Sequence, residues 1–177
     1  MLNEYFTDLP DMRQSGKIRH NLLEVVVMTI CAVIAGCDVW EDIVDFCRVK
    51  ETWFKGSLNM KLGNGIPSHD TMQRIWGMIL PGEFERCFRS WVASVCQPTS
   101  GEIISIDGKT IRGSADQEKN PIHMVSAWAH HQQLVLGQLA TDEKSNEITA
   151  VPNLLNMLDI AGCIITADAM SCQKEIA

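Results

Sequence analysis

Two short segments, 103–107 and 164–168, each run a β-branched strand into a single aspartate, and they constrain the fold more than any other feature. The first strand extends from Glu102 to Asp107, and two more follow at Ile122 to Ala129 and Leu134 to Thr141, separated by the turn His130-His131-Gln132-Gln133. Pro152 suits the first turn of a helix better than its interior, so the pattern predicts a helix from about Val151 to Leu158, with an irregular lead-in from Asn146. Gly162 to Asp168 is the fourth strand, and Cys172 to Ala177 begins another helix.

The order β-β-β-α-β-α predicts three antiparallel strands, then a crossover that lays the fourth strand parallel beside the first. This is the opening of a ribonuclease-H-like domain. Before Pro98 the period is helical instead. Asn21 with Glu24 resembles a capping pair ahead of an apolar run that stops at Gly36, and Asp38 with Glu41 repeats the signature before a helix from Trp40 to about Lys55. Ser68 caps a third helix through Leu80, and Pro81 starts a fourth through about Gln97. The last two read as a helical bundle or as a helix-turn-helix with Arg74, Arg86 and Arg89 facing phosphates. The fold class is therefore α+β, with a helical domain over 1–97 and an incomplete ribonuclease-H-like domain over 98–177.

Charge limits what the chain can do. Residues 1–97 carry 10 Lys and Arg against 12 Asp and Glu, a net of −2, and residues 98–177 carry 5 against 10, a net of −5. This balance argues against a protein that simply coats nucleic acid, so any DNA-facing surface is a local patch. The best patch is Arg13-Gln14-Ser15-Gly16-Lys17-Ile18-Arg19-His20, where Arg13, Lys17 and Arg19 would meet phosphates; an exposed N-terminal arm is the competing reading. Seven cysteines without a Cys-x-x-Cys pair read as reduced, mostly buried thiols, and no His and Cys spacing suggests structural zinc. No signal peptide or membrane span is legible, which predicts a cytoplasmic chain without a membrane partner.

The two aspartates carry the chemistry. On adjacent parallel strands, about 4.8 Å apart, Asp107 and Asp168 would emerge at the same end of the sheet. Paired carboxylates there repel one another unless a divalent cation lies between them, and Mg²⁺ suits because it takes one or two carboxylates plus waters and phosphate oxygens. Each aspartate alone would read as a strand-end turn residue; the pair favours a metal site for phosphodiester chemistry. Lys109 and Arg112, just past the first aspartate, and Lys144 in the loop 142–147 are phosphate-positioning candidates, with Glu147 as an auxiliary carboxylate. Gly108-Lys109-Thr110 does not end a P-loop, because the glycine required five positions before Gly108 is Ile103.

Six stretches together, Gly16–Leu23, Trp40–Ile43, Ser68–Thr71, Ile106–Thr110, Asp142–Ile148 and Asp168–Lys174, resemble the H-repeat-associated family of DDE-type insertion-sequence transposases. The resemblance covers nearly the whole chain. It implies a transposase-associated helical domain followed by a DDE catalytic domain, with Asp107 and Asp168 as the first two members of the acidic triad. It further implies Mg²⁺ or Mn²⁺ as cofactor, transposon-end DNA as partner, and hydrolysis and strand transfer as the family activity. The third acidic residue of the family has no counterpart before Ala177, so the chain is expected to be a truncated transposase, to bind metal weakly or not at all, and to be inactive alone. Two other readings stand beside it: a non-catalytic module that recognises DNA ends or pairs with an intact related transposase and inhibits it, with a second copy of the chain as the other expected partner, and a decaying gene product with no present role.

Overall fold

A computed structural model describes residues 2–96, 100–114, 120–141 and 147–168. The chain divides into two compact units, residues 1–88 and 89–177. It is a mixed α+β protein: the helices α1 (Leu2–Tyr5), α2 (Leu22–Ile34), α3 (Trp40–Val49), α4 (Glu51–Ser57), α5 (His69–Trp76) and α6 (Pro81–Val95) precede the strands β1 (Ile103–Thr110), β2 (His123–Ala129) and β3 (Leu134–Thr141), then α7 (Glu147–Asn156) and β4 (Ile164–Thr166).

The first unit is built around α2. Val25, Val26, Val27, Met28 and Ala32 are buried in it, and α1, α3 and α5 pack against it. Its start follows the capping expectation in part: Asn21 Oδ1 accepts from the Glu24 amide at 3.2 Å. The Glu24 carboxylate does not complete a capping box. Its Oε1 accepts from the Lys61 and Leu62 amides at 2.7 and 3.1 Å, which fastens the loop after α4 to α2. On the other side the Trp76 indole donates to Thr29 Oγ1 at 2.9 Å, joining α5 to the same helix.

Three helix boundaries differ from expectation. The helix predicted over Trp40 to Lys55 is interrupted at Lys50, and Val39, which has no capping side chain, holds the N-cap position expected of Asp38. Eight residues of straight helix rise about 12 Å, yet the rings of Phe46 and Phe54 lie 6.3 Å apart, so the bend is what brings them together and seats Phe54 in the core. Ser68 caps α5 as predicted, accepting from the Thr71 amide, but the helix ends at Trp76 rather than Leu80 because the amides of Met78 and Ile79 bond three residues back, to Ile75 and Trp76.

In the second unit the four strands form one sheet in the order β3-β2-β1-β4, with β1 antiparallel to β2, β2 antiparallel to β3, and β4 parallel to β1. One face carries Ile104, Ile106, Val125, Ala127, Ala129 and Leu136, all buried, and α7 covers β2 and β3 through Ala150, Val151 and Leu154. Pro152 lies inside α7, which starts at Glu147, so the predicted start near Val151 is corrected. The ring leaves one helical hydrogen bond unmade, and the buried apolar face on either side of it offsets that loss. Register shifts between Ala127 and Trp128, leaving Leu136 as an extra residue of β3, and beside this bulge Gly137 lets α7 approach. A Cβ there would lie 3.1 Å from a Leu158 methyl.

The buried Glu102 fixes the start of β1. Its Oε1 accepts from the His131 amide at 2.7 Å, which holds the β2–β3 turn, and its main-chain oxygen accepts from the Ile164 amide at 2.7 Å, which starts the pairing with β4. The predicted helix from Cys172 lies outside the described residues. No helix among the described residues is long and apolar enough to cross a membrane.

Candidate active site

The pairing of β1 with β4 sets the geometry around the two aspartates. Ile103 faces Ile164, Ile104 faces Ile165 and Ser105 faces Thr166, a constant offset of 61 residues. Asp107 and Asp168 share that offset, each standing two residues past the Ser105/Thr166 pair, Asp107 within β1 and Asp168 just after β4. Side chains alternate along a strand, so Asp107 projects on the same face as Ser105, and Lys109 on the same face as both. That face is opposite the one α7 covers. Asp107, Lys109 and Asp168 are all exposed.

A line of hydrogen bonds crosses this face two residues behind the aspartates. His130 Nε2 lies 2.8 Å from Ser105 Oγ, and Ser105 Oγ lies 2.8 Å from Thr166 Oγ1. Alongside Asp107 on β2 stands Ser126, whose hydroxyl donates to the Asp107 main-chain oxygen at 3.4 Å. Sequence reasoning missed this line. A signal for it existed, since a hydroxyl residue precedes each aspartate by two positions.

Two exposed carboxylates, Asp107 within β1 and Asp168 just after β4, are hard oxygen donors of the kind taken by a divalent cation that keeps several waters and draws its remaining ligands from phosphate. Among the described residues no group of three or more His, Cys, Asp or Glu side chains is placed to hold a metal. Of the remaining candidates, Arg112 lies exposed in the turn after β1, Glu147 heads α7, and Lys144 lies outside the described residues.

The basic segment near the N-terminus forms a second feature, within the first unit. Ser15–Lys17 makes a single 3-10 turn, and Lys17, Arg19 and His20 border a pocket of about 580 Å³ whose other wall is α5, with Thr71, Arg74 and Ile75. Arg13 is not available to a ligand in the way its neighbours are. Its guanidinium is held by Asp11 at 2.6 and 2.7 Å and donates to the His20 main-chain oxygen at 3.0 Å, so it braces the segment. Partial burial lowers the His20 pKa from its ordinary value, and the nearby Arg13 and Arg19 act in the same direction. Of the arginines read as facing phosphates in a helix-turn-helix, Arg74 lines this pocket and Arg86 is paired with Glu83 at 2.9 Å.

Residues 3–92 match the DDE_Tnp_1-associated family, and residues 98–177 match the Transposase DDE domain. The chain is 49% identical to "Putative transposase YncI" of Escherichia coli O157:H7, over 99% of this chain and 45% of that protein. It is 47% identical to "H repeat-associated putative transposase YhhI" of Escherichia coli strain K12, over 99% of this chain and 47% of that one. With "H repeat-associated putative transposase YbfD" of the same strain the identity is 46%, over 99% of this chain and 70% of the relative. The chain thus spans about half the length of the first two of these relatives. No solved structure matches it. Helical and strand-bearing parts each match their own half of the same family, and the chain belongs to the H repeat-associated DDE transposases.

Proposed function

We propose that residues 98–177 are the opening part of a ribonuclease-H-like DDE catalytic domain, and that Asp107 and Asp168 are the first two metal-holding carboxylates of a transposase acting on insertion-sequence DNA. The observation that carries this is the parallel, in-register pairing of β1 with β4, which gives the two aspartates the same position past the Ser105/Thr166 pair. Mg²⁺ or Mn²⁺ held there would neutralise charge on the attacking and leaving oxygens of a phosphodiester. The protein's part is placement: the two strands hold the carboxylates, Lys109 projects beside Asp107 to receive a phosphate, and Arg112 follows in the turn. Lys144, as a further phosphate contact, and Glu147, as an auxiliary carboxylate at the first residue of α7, are the other proposed members. Residues 1–97 are the proposed DNA-binding domain, through Lys17 and Arg19 with Arg13 as their brace.

Two carboxylates hold a second metal poorly, so this chain by itself is proposed to cut DNA little or not at all. Calorimetric titration with Mn²⁺ tests the site: one weak binding event is expected, and it should disappear in Asp107→Asn and in Asp168→Asn. Unchanged Mn²⁺ binding in both variants would remove the assignment. A nicking assay with Mg²⁺ or Mn²⁺ tests the inactivity, and metal-dependent nicking abolished by the same substitutions would overturn it while supporting the site. The alternative, a DNA-binding or transposase-inhibiting module, draws on the basic pocket of the first unit, and selective DNA binding without cutting would favour it.

A further inference from the structure

The pocket between the N-terminal basic segment and α5 is unusual in a chain of net charge −7, because none of its ten lining residues is acidic. Lys17, Arg19 and Arg74 border it, are exposed, and make no side-chain ion pair among the described residues. Apart from Arg13, which is held by Asp11, the rest of the lining is apolar or polar: Ile75 is buried, Met12 and Met78 are exposed, and Thr71 adds a hydroxyl. At about 580 Å³ the cavity falls within the roughly 300–1,000 Å³ of small-ligand sites.

These properties separate two ways of meeting DNA. A duplex backbone presents phosphates on a convex surface and needs only exposed cations, leaving a concave apolar wall unused. An unpaired nucleotide presents a phosphate and a flat apolar base together, the combination of charge and apolar contact that single-strand sites use. We propose that this pocket holds one unpaired nucleotide of a DNA strand, with phosphate on Lys17, Arg19 and Arg74 and the base against Ile75 and Met78. His20 also borders the pocket, and with one ring nitrogen engaged by the Gly65 backbone, the other is left for a base edge. The Asp11–Arg13 pair holds the segment in place through the His20 carbonyl. The proposal rests on the reading that DNA is the partner, and does not depend on the carboxylate pair.

The test is fluorescence anisotropy with the full chain in EDTA, using a labelled blunt duplex and the same duplex carrying a short unpaired extension. The extended DNA should bind about tenfold more tightly. Arg74→Gln and Arg19→Gln should remove most of that preference, and Met78→Ala should reduce it while leaving the salt dependence of blunt-duplex binding unchanged; melting curves confirm that each variant folds. Equal affinity for the two DNAs would overturn the proposal, as would a preference that survives both Arg74→Gln and Met78→Ala. A phosphorylated peptide that displaces the extended DNA with higher affinity would also overturn it. Because the assay contains no divalent metal, its failure is distinct from failure of the Mn²⁺ titration, and either result can stand without the other.

Discussion

Ser105 and Thr166 meet through their hydroxyls at 2.8 Å across the only parallel strand pair among the described residues, two positions before Asp107 and Asp168. The contact ties β4, just three residues long, to β1 and continues through Ser105 to His130. Ser105→Ala should therefore cost about 1 kcal/mol of stability. It should also weaken Mn²⁺ binding although Ser105 precedes the proposed ligands by two residues, whereas Thr110→Ala, on the other face of the same strand, should leave Mn²⁺ binding unchanged. Calorimetry on the two variants separates register control from general destabilisation.

Glu24 is a structural acid. Its single oxygen accepts two amides of the loop after α4, where Leu62 has a positive φ of 43°. Replacing it with Ala leaves both amides without that acceptor, and hydrogen bonds to charged groups contribute roughly 1.5–3 kcal/mol. Glu24→Ala should lower the unfolding free energy measured by chemical denaturation by that order, and Glu24→Gln by less.

Much of this architecture was legible in the sequence, and its failures share a cause. Strand alternation and the spacing of turn residues located β1 to β4, because a two-residue period depends only on local pattern. The parallel pairing of β4 followed from the order of elements. What could not be read was which partner each charged or packing side chain takes: Glu24 looked like half of a capping box and instead holds residues 37 and 38 positions away. Arg13 read as a phosphate contact, but Asp11, two residues earlier, engages it. Arg74 reached the basic pocket only because α5 folds back beside residues 12–20. The bend at Lys50 has no glycine or proline to announce it and follows from the seating of Phe54.

Gly137 leaves little room for a branched side chain. A Cβ would meet Leu158 at 3.1 Å and Leu154 at 3.5 Å, so Gly137→Val forces α7 away from β3. Overpacking of this kind costs about 1–3 kcal/mol. Thermal unfolding of the variant should begin well below that of the parent, while Gly56→Ala, with nothing within 4 Å, should not.

Cys47 is fully buried and its thiol is pushed up to about 12 by desolvation, so it carries almost no thiolate at neutral pH. In the native protein it should resist a thiol-specific reagent at pH 8 and react only after denaturation. Labelling followed by peptide mapping reads this directly, and rapid native labelling of Cys47 would mean that α3 opens readily.

The Asp11–Arg13 pair sets a pH dependence with a definite sign. Hydrogen bonding from Arg13 holds the Asp11 carboxyl below its usual value, outweighing partial burial, which acts the other way. An acid with a depressed folded pKa binds fewer protons folded than unfolded, so its stabilisation is fully present above the unfolded value near 3.8 and is lost as pH falls through the lower folded value. Asp11→Asn should therefore be less stable than the parent at pH 6, by about 0.5–1 kcal/mol for a partly exposed pair. The gap should close as both proteins are taken below pH 4. Denaturant titrations at a series of pH values measure it, and a gap that stays constant into the acid range would show that Asp11 acts through the hydrogen bond its Oδ1 accepts from the Arg13 amide and not through its charge.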